Sequence, residues 1–118
     1  MTNDEELFRI LIGNDLSGVT FVRDYIQLQF NPPPLLNALT KVTVVADEKE
    51  VSQGERDFAN YLISQVNKVV KDVKLHPGIA LILIFEDESR ISISLLEDDY
   101  RGAEAINFYY GDTGLVVL

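Results

Sequence analysis

Apolar and polar residues alternate with a period of two from Tyr25 to Phe30, which is the pattern of a half-buried β-strand. The side chains expected to face the core are Ile26, Leu28 and Phe30. The longer segment from Leu16 to Phe30 contains a polar break at Arg23-Asp24, so it predicts either a hairpin or one long bulged strand. The prolines from Pro32 to Pro34 remove consecutive backbone donors and predict a rigid connector.

A strand is expected to resume from Leu35 to Ala46, followed by a charged loop from Asp47 to Gln53. The middle of the chain then has a helical period. Its apolar residues recur every three or four positions, at Phe58, Leu62, Val66, Val69 and Val73.

Local signals support a helix in this region. Ser52-x-x-Glu55 matches the capping box, in which both side chains satisfy free backbone N–H groups at a helix start. Lysines lie near the predicted end of the helix, where its dipole favours them, and His76-Pro77-Gly78 should end it. The prediction is one long helix over about 54–75, packed on a sheet.

The segment from Ile79 to Phe85 is apolar at every position. It predicts a core strand covered on both sides, or a strand whose second face meets a partner. After the turn Glu86-Asp87-Glu88-Ser89, the alternation from Arg90 to Leu96 predicts a returning strand. The inward side chains of that strand should be Ile91, Ile93 and Leu95.

A second acidic turn, Glu97-Asp98-Asp99, precedes a terminal hairpin. Its strands are expected at Ala105–Tyr110 and Leu115–Leu118, around a turn from Gly111 to Gly114. Near the other end of the chain, the apolar spacing from Asp4 to Ile12 predicts either a short N-terminal helix or a segment that leads into a strand.

Strands, one long helix and further strands do not alternate as a parallel α/β fold requires. We therefore predict a single α+β domain over residues 1–118, built on a mainly antiparallel twisted sheet of about six strands.

Charge narrows the range of partners. Nineteen acidic and ten basic residues give a net charge of −9, whereas phosphate backbones are bound through cationic contacts.

The longest apolar run, Ile79–Phe85, is far shorter than the roughly 20 residues of a membrane-spanning helix. The acidic start, Met1–Glu6, lacks the basic residues of an export signal. We expect a cytoplasmic protein with no nucleic-acid or membrane partner.

The residues offer no recognisable catalytic centre. His76 is the only histidine, there is no cysteine, and neither a G-x-S-x-G nor a Walker motif is present. The two acidic turns lack the spacing of a calcium-binding loop. We therefore expect no catalytic residues, no metal site and no cofactor, and a protein that is not an enzyme. For the charges at Arg23-Asp24 and Glu104, an ion pair or a turn hydrogen bond is favoured over a functional site.

Two stretches, Phe21–Phe30 and Arg101–Phe108, resemble small uncharacterised bacterial proteins, some of which are similar to immunity proteins of polymorphic toxin or contact-dependent inhibition systems. The resemblance implies a cytoplasmic non-enzyme that binds one toxin.

The first hypothesis is a non-catalytic protein-binding module that meets a basic partner through an acidic face. The residues predicted for that face are Glu86, Asp87, Glu88, Glu97, Asp98, Asp99 and Tyr100. A second hypothesis is a homo-oligomer joined by the apolar terminal strand or by an exposed sheet face. A third is a small-ligand binder or small enzyme with a pocket between helix and sheet.

Overall fold

Ten strands form two antiparallel sheets in the computed structural model, which describes residues 3–111 and 114–118. In chain order the strands are β1 (Asp15–Val22), β2 (Tyr25–Asn31), β3 (Leu35–Ala38), β4 (Val42–Ala46), β5 (Lys49–Ser52), β6 (Val70–His76), β7 (Ala80–Phe85), β8 (Arg90–Ser94), β9 (Ile106–Tyr109) and β10 (Leu115–Val117). The helices are α1 (Asn3–Phe8) and α2 (Phe58–Ile63), and 3₁₀-helices cover Arg9–Leu11 and Glu97–Asp99. Met1, Thr2 and two residues of the predicted terminal turn, Asp112 and Thr113, lie outside the described residues.

The two sheets contribute their inward side chains to one hydrophobic core. Sheet A has the spatial order β1-β2-β3-β9-β10, and sheet B has the order β5-β4-β8-β7-β6. The predicted strand Leu35–Ala46 is divided between them, because the chain crosses from β3 to β4 at Leu39–Lys41. The crossing is fixed by the fully buried Thr40, whose hydroxyl donates to the carbonyl oxygen of Ser94 at 2.5 Å.

Several predicted strands are confirmed. In β2 the side chains of Ile26, Leu28 and Phe30 are buried, as the alternation predicts. Of the two alternatives for Leu16–Phe30, the structure has the hairpin, and its first strand contains a bulge between Leu16 and Gly18. The other confirmed elements are the short N-terminal helix, the proline connector, the hairpin of β7 with β8 and the hairpin of β9 with β10.

The predicted long helix over 54–75 is wrong. Only Phe58–Ile63 is α-helical, and residues 70–76 form β6 instead. The chain leaves the helical conformation at Asn67, which has a φ of 80°, and its backbone N–H donates to the carbonyl of Leu16 in β1. From there a bulge after Val70 adjusts the register, and Val73 and Leu75 are buried on alternate positions of a strand. The antiparallel α+β class stands, but with short helices.

The local helix signals have other roles in the structure. Glu55 Oε1 accepts the backbone N–H of Ser52 at 2.7 Å, but this pair closes a turn, and α2 begins only at Phe58. His76 lies exposed at the end of β6, not at a helix end. The predicted loop Asp47–Gln53 contains β5. The presence of β5 and β6 and the division of Leu35–Ala46 into β3 and β4 together raise the number of strands above the predicted six or so.

Within the described ranges, no helix is long and apolar enough to cross a membrane.

Candidate functional site

The two predicted acidic turns lie far apart in the structure. Glu86–Glu88 form the turn between β7 and β8, whereas Glu97–Asp99 follow the other end of β8. The five residues of β8 separate the turns by about 16 Å. The structure therefore does not bring these residues together as one continuous acidic face.

Several of these side chains already have partners. Asp87 is paired with Lys68 at 2.7 Å, and Glu88 is paired with Lys71. At the other turn, Asp99 accepts a hydrogen bond from the hydroxyl of Ser94 at 2.5 Å. Tyr100 is half-buried and packs against the core. Neutralised or engaged carboxylates attract a basic partner less strongly than the sequence suggests.

A third acidic turn, which the sequence did not single out, lies beside Glu86–Glu88. Asp47 and Glu48 join β4 to β5, and both have positive φ angles, 53° and 63°, as a two-residue type I′ hairpin turn requires. Together with Asp87 and Glu88 they line an open cleft of about 360 Å³. This end of sheet B thus brings one of the predicted acidic turns together with an acidic turn that was not predicted.

A polar cluster connects the 86–89 turn to the segment after α2. Lys68 Nζ donates to Asp87 Oδ2 at 2.7 Å, to Gln65 Oε1 at 3.2 Å and to Ser89 Oγ at 3.1 Å. Gln65 and Ser89 are buried, and the Ser89 hydroxyl lies 2.7 Å from Gln65 Oε1. Because buried polar groups must be satisfied, this cluster fixes the chain directly after α2.

The pairing of Ser89 with Lys68 does not have the geometry of a nucleophile and its base. A base needs a free lone pair to accept the serine proton, and the Lys68 ammonium donates to three oxygen atoms. The cluster is therefore structural. Within residues 3–111 and 114–118, no three potential metal-ligating side chains converge.

The hydrogen bonds from Lys68 and Ser89 lower the pKa of Asp87 from its ordinary value of 3.8 to about 2. A carboxyl whose pKa is lower in the folded state stabilises the fold above pH 4 or so, and this contribution is lost as the pH falls towards about 2. Since the Asp87 side chain is half exposed, we expect a loss of at most about 1 kcal/mol. Urea unfolding at a series of pH values across this window measures it.

The matched variants for this prediction are Asp87→Asn and Glu88→Gln, which sit in the same turn. Asp87→Asn should flatten the decline between pH 4 and 2, whereas Glu88→Gln should retain it. An unchanged decline in Asp87→Asn would show that another carboxyl causes it.

The outer face of sheet A differs from the rest of the molecule in charge. Among the strand residues of sheet A, Asp15 is the only charged one, although 25% of the chain is charged. The strands of sheet B include six charged residues. We call the following outward residues of sheet A the amide face: Thr20, Gln27, Gln29, Leu35, Asn37, Asn107, Tyr109, Leu115 and Val117.

Side-chain amides form a hydrogen-bonded row across the amide face. Gln29 Nε2 donates to Gln27 Oε1 at 2.8 Å and to Thr20 Oγ1 at 3.3 Å. Gln27 Nε2 in turn donates to Asn37 Oδ1 at 3.3 Å, and Asn37 is paired in register with Asn107. These bonds hold the side chains in fixed positions across β1, β2 and β3, and Asn107 lies next to them in β9.

One corner of the amide face is apolar. Tyr109, Leu115 and Val117 are exposed by 43%, 48% and 43%, and they neighbour the half-buried Leu35. Register places Tyr109 directly between Leu35 and Leu115. Apolar side chains grouped on an exposed surface are typical of interaction sites.

A cleft of about 290 Å³ lies at the end of the amide face where β2 and β9 begin. It is lined by Asp24 and by residues 101–104, so the segments Phe21–Phe30 and Arg101–Phe108 meet here. Arg101 donates two hydrogen bonds to the carbonyl of Leu39, and Glu104 accepts one from Asn107 at 3.2 Å. Glu104 thus makes a hydrogen bond, and it forms no ion pair among the described residues.

Comparison with protein-family models, with curated proteins and with solved structures finds no match to this chain.

Proposed function

We propose that the chain is a non-catalytic protein-binding module whose partner docks on the amide face. The observation that carries the proposal is a five-stranded face without charged strand residues near its centre, in a chain with a net charge of −9. Interfaces are depleted of charged residues at their centres, because a charge loses its water when it is covered.

The side chains of the amide face suit a protein partner. Amides donate and accept hydrogen bonds, and the row from Gln29 to Asn37 is held in position before a partner arrives, which reduces the entropy lost on binding. Tyr109 at the apolar corner offers a large, partly exposed ring of the kind that anchors interfaces.

The partner expected from charge is a basic protein. A net charge of −9 attracts a basic partner over a long range and speeds its encounter, while the uncharged face supplies the contact. Asp24 and Glu104, at one end of the face, can pair with basic side chains at the rim. The resemblance to small uncharacterised bacterial proteins, some of them similar to immunity proteins, favours a toxin as that basic partner.

A second candidate contact surface is the acidic end of sheet B. Asp47-Glu48 and Asp87-Glu88 line the same open cleft and retain carboxylates on the surface. A basic protein that docked there would leave the amide face exposed to solvent.

Capture from a lysate of the producing cells distinguishes the two surfaces. Asn37 is half-buried at the centre of the amide face, and Asn37→Lys places a charge where the partner would cover it. We expect that affinity for the captured protein falls by more than roughly a hundredfold, because a covered, unpaired charge costs several kcal/mol.

The matched control is Ser92→Lys, a half-buried outward position in β8 of sheet B. It should retain the partner, and thermal unfolding should show that both variants fold. If Asn37→Lys binds as well as the unmodified chain, and Asp47→Lys with Glu48→Lys does not, the acidic end of sheet B is the docking surface.

A further inference from the structure

The four edge strands of the two sheets are protected to different extents. In sheet B, the edge of β6 is covered by the N-terminal segment: Glu5 Oε2 accepts the backbone N–H of Leu75 at 2.9 Å, and Arg9 donates to the carbonyl of Val73 at 3.3 Å. The other edge strand, β5, has the charged residues Lys49 and Glu50. Covering an edge and placing charges on it both prevent pairing with another chain.

In sheet A, β1 is protected by a bulge between Leu16 and Gly18. Its first residues are also bonded to the segment after α2, through Leu16 and Lys68. The other edge strand, β10, has no charged residue, no proline and no bulge over Leu115–Val117. It is therefore the least protected edge among the described strands.

The backbone of β10 presents an open row of hydrogen-bonding groups. Gly114 and Leu118 bond to Tyr110 and Ile106 on the β9 side. Because only alternate residues of an antiparallel strand bond to a given neighbour, the backbone groups of Leu115 and Val117 point away from β9. The side chains of these two residues are exposed by 48% and 43%.

We propose that β10 pairs antiparallel with β10 of a second copy of this chain, centred on Val116, and so joins two copies of sheet A into one continuous sheet. In this register Leu115 lies opposite Val117 of the second copy, and Val117 opposite Leu115. Both are residues whose backbone groups are open, so each pair exchanges two hydrogen bonds. Every open backbone group of Leu115 and Val117 is then satisfied.

A second copy suits this edge because the pattern is symmetric about Val116. The two-fold axis of a homodimer requires reciprocal contacts: Leu115 meets Val117 of the second copy, and Val117 meets its Leu115, so both pairs are apolar and lie on one face. Two chains of charge −9 repel each other, and an uncharged edge lets them meet without opposed carboxylates.

Val117→Pro tests the pairing without breaking the bonds to β9. The N–H of Val117 points away from β9, so a proline removes only a donor to the second copy. In sedimentation over a roughly hundredfold range of concentration, the unmodified chain should change from monomer to dimer, since an interface this short is weak. Val117→Pro should remain a monomer while its thermal unfolding stays cooperative.

Two double variants test the register. Leu115→Lys with Val117→Glu places opposite charges across the proposed pairing and should retain the dimer at low salt. Leu115→Lys with Val117→Lys places like charges there and should abolish it, although both variants lose the same apolar side chains.

A strictly monomeric unmodified chain would overturn this inference, and so would a dimer that Val117→Pro leaves intact. If both double variants dimerise equally, the register is wrong. The inference is independent of the proposed partner surface: Asn37 lies in β3, which β9 separates from β10, so Asn37→Lys should still dimerise. An unmodified chain that dimerises but captures no basic protein would contradict only the proposed function, and a monomeric chain that captures one would contradict only this inference.

Discussion

Replacing Phe108 with alanine is expected to lower the free energy of unfolding by about 3–5 kcal/mol. Phe108 is fully buried in β9, and its ring stacks on that of Phe8 in α1 with centroids 4.7 Å apart. Its other neighbour is Tyr110, whose ring centroid is 5.8 Å away. Truncation removes these contacts and leaves a cavity where the N-terminal helix meets sheet A. Urea unfolding measures the loss.

The matched control for this prediction is Phe21→Ala. Phe21 lies near the tip of the β1–β2 hairpin and is 47% exposed, so the same truncation should cost no more than about 1 kcal/mol. Equal losses at both positions would contradict the packing of α1 on sheet A.

The second large effect is expected from Lys68→Met, which should cost about 1–3 kcal/mol. Methionine preserves the length of the side chain but removes the donor shared by Asp87, Gln65 and Ser89. Two of these three residues are buried, so water cannot readily replace the ammonium group. Thermal and urea unfolding should both show the loss, and the decline caused by Asp87 between pH 4 and 2 should become smaller.

Lys71→Met is the control. Lys71 pairs with Glu88, which lies in the same turn as Asp87, but the side chains of Lys71 and Glu88 are both largely exposed. Exposed ion pairs contribute little, so we expect a change of no more than about 0.5 kcal/mol. Equal losses of stability in the two lysine variants would contradict the claim that Lys68 stabilises the fold through its buried partners.

Much of sheet formation could be predicted from local alternation. In β2 and β8 the period of two is unbroken, and the side chains of Ile26, Leu28, Ile91 and Ile93 are buried as it requires. In a strand with one buried face, the alternation of its own sequence shows which side chains point inward. The division of the strands into two sheets could not be predicted, because it depends on the crossing at Thr40.

The long helix shows where periodicity fails. Valines at 66, 69, 70 and 73 fit a helical stripe, but β-branched residues also favour strands. Two tertiary contacts decide between them: Asn67 bonds to Leu16 in β1, and β6 pairs with the apolar β7 along its length. Neither contact is visible in a window of neighbouring residues.

Only part of the candidate site could be predicted from the sequence. The outward orientation of Gln27 and Gln29 followed from alternation. The positions of Asn37 and Asn107 in the same row could not be predicted, because they depend on strand order: β3 pairs with both β2 and β9. Conversely, the acidic turns Glu86–Glu88 and Glu97–Asp99 are close to each other in the sequence, but they lie at opposite ends of β8.

The most direct test of the amide face follows its own side-chain amides by nuclear magnetic resonance. The captured partner is added to isotope-labelled chain, and the side-chain signals of Gln27, Gln29, Asn37 and Asn107 are compared with those of Asn60 in α2. We predict that the four signals of the amide face shift or broaden while that of Asn60 does not. Unchanged signals for the four, with shifts confined to the backbone of Asp47-Glu48 and Glu86–Glu88, would contradict the proposal.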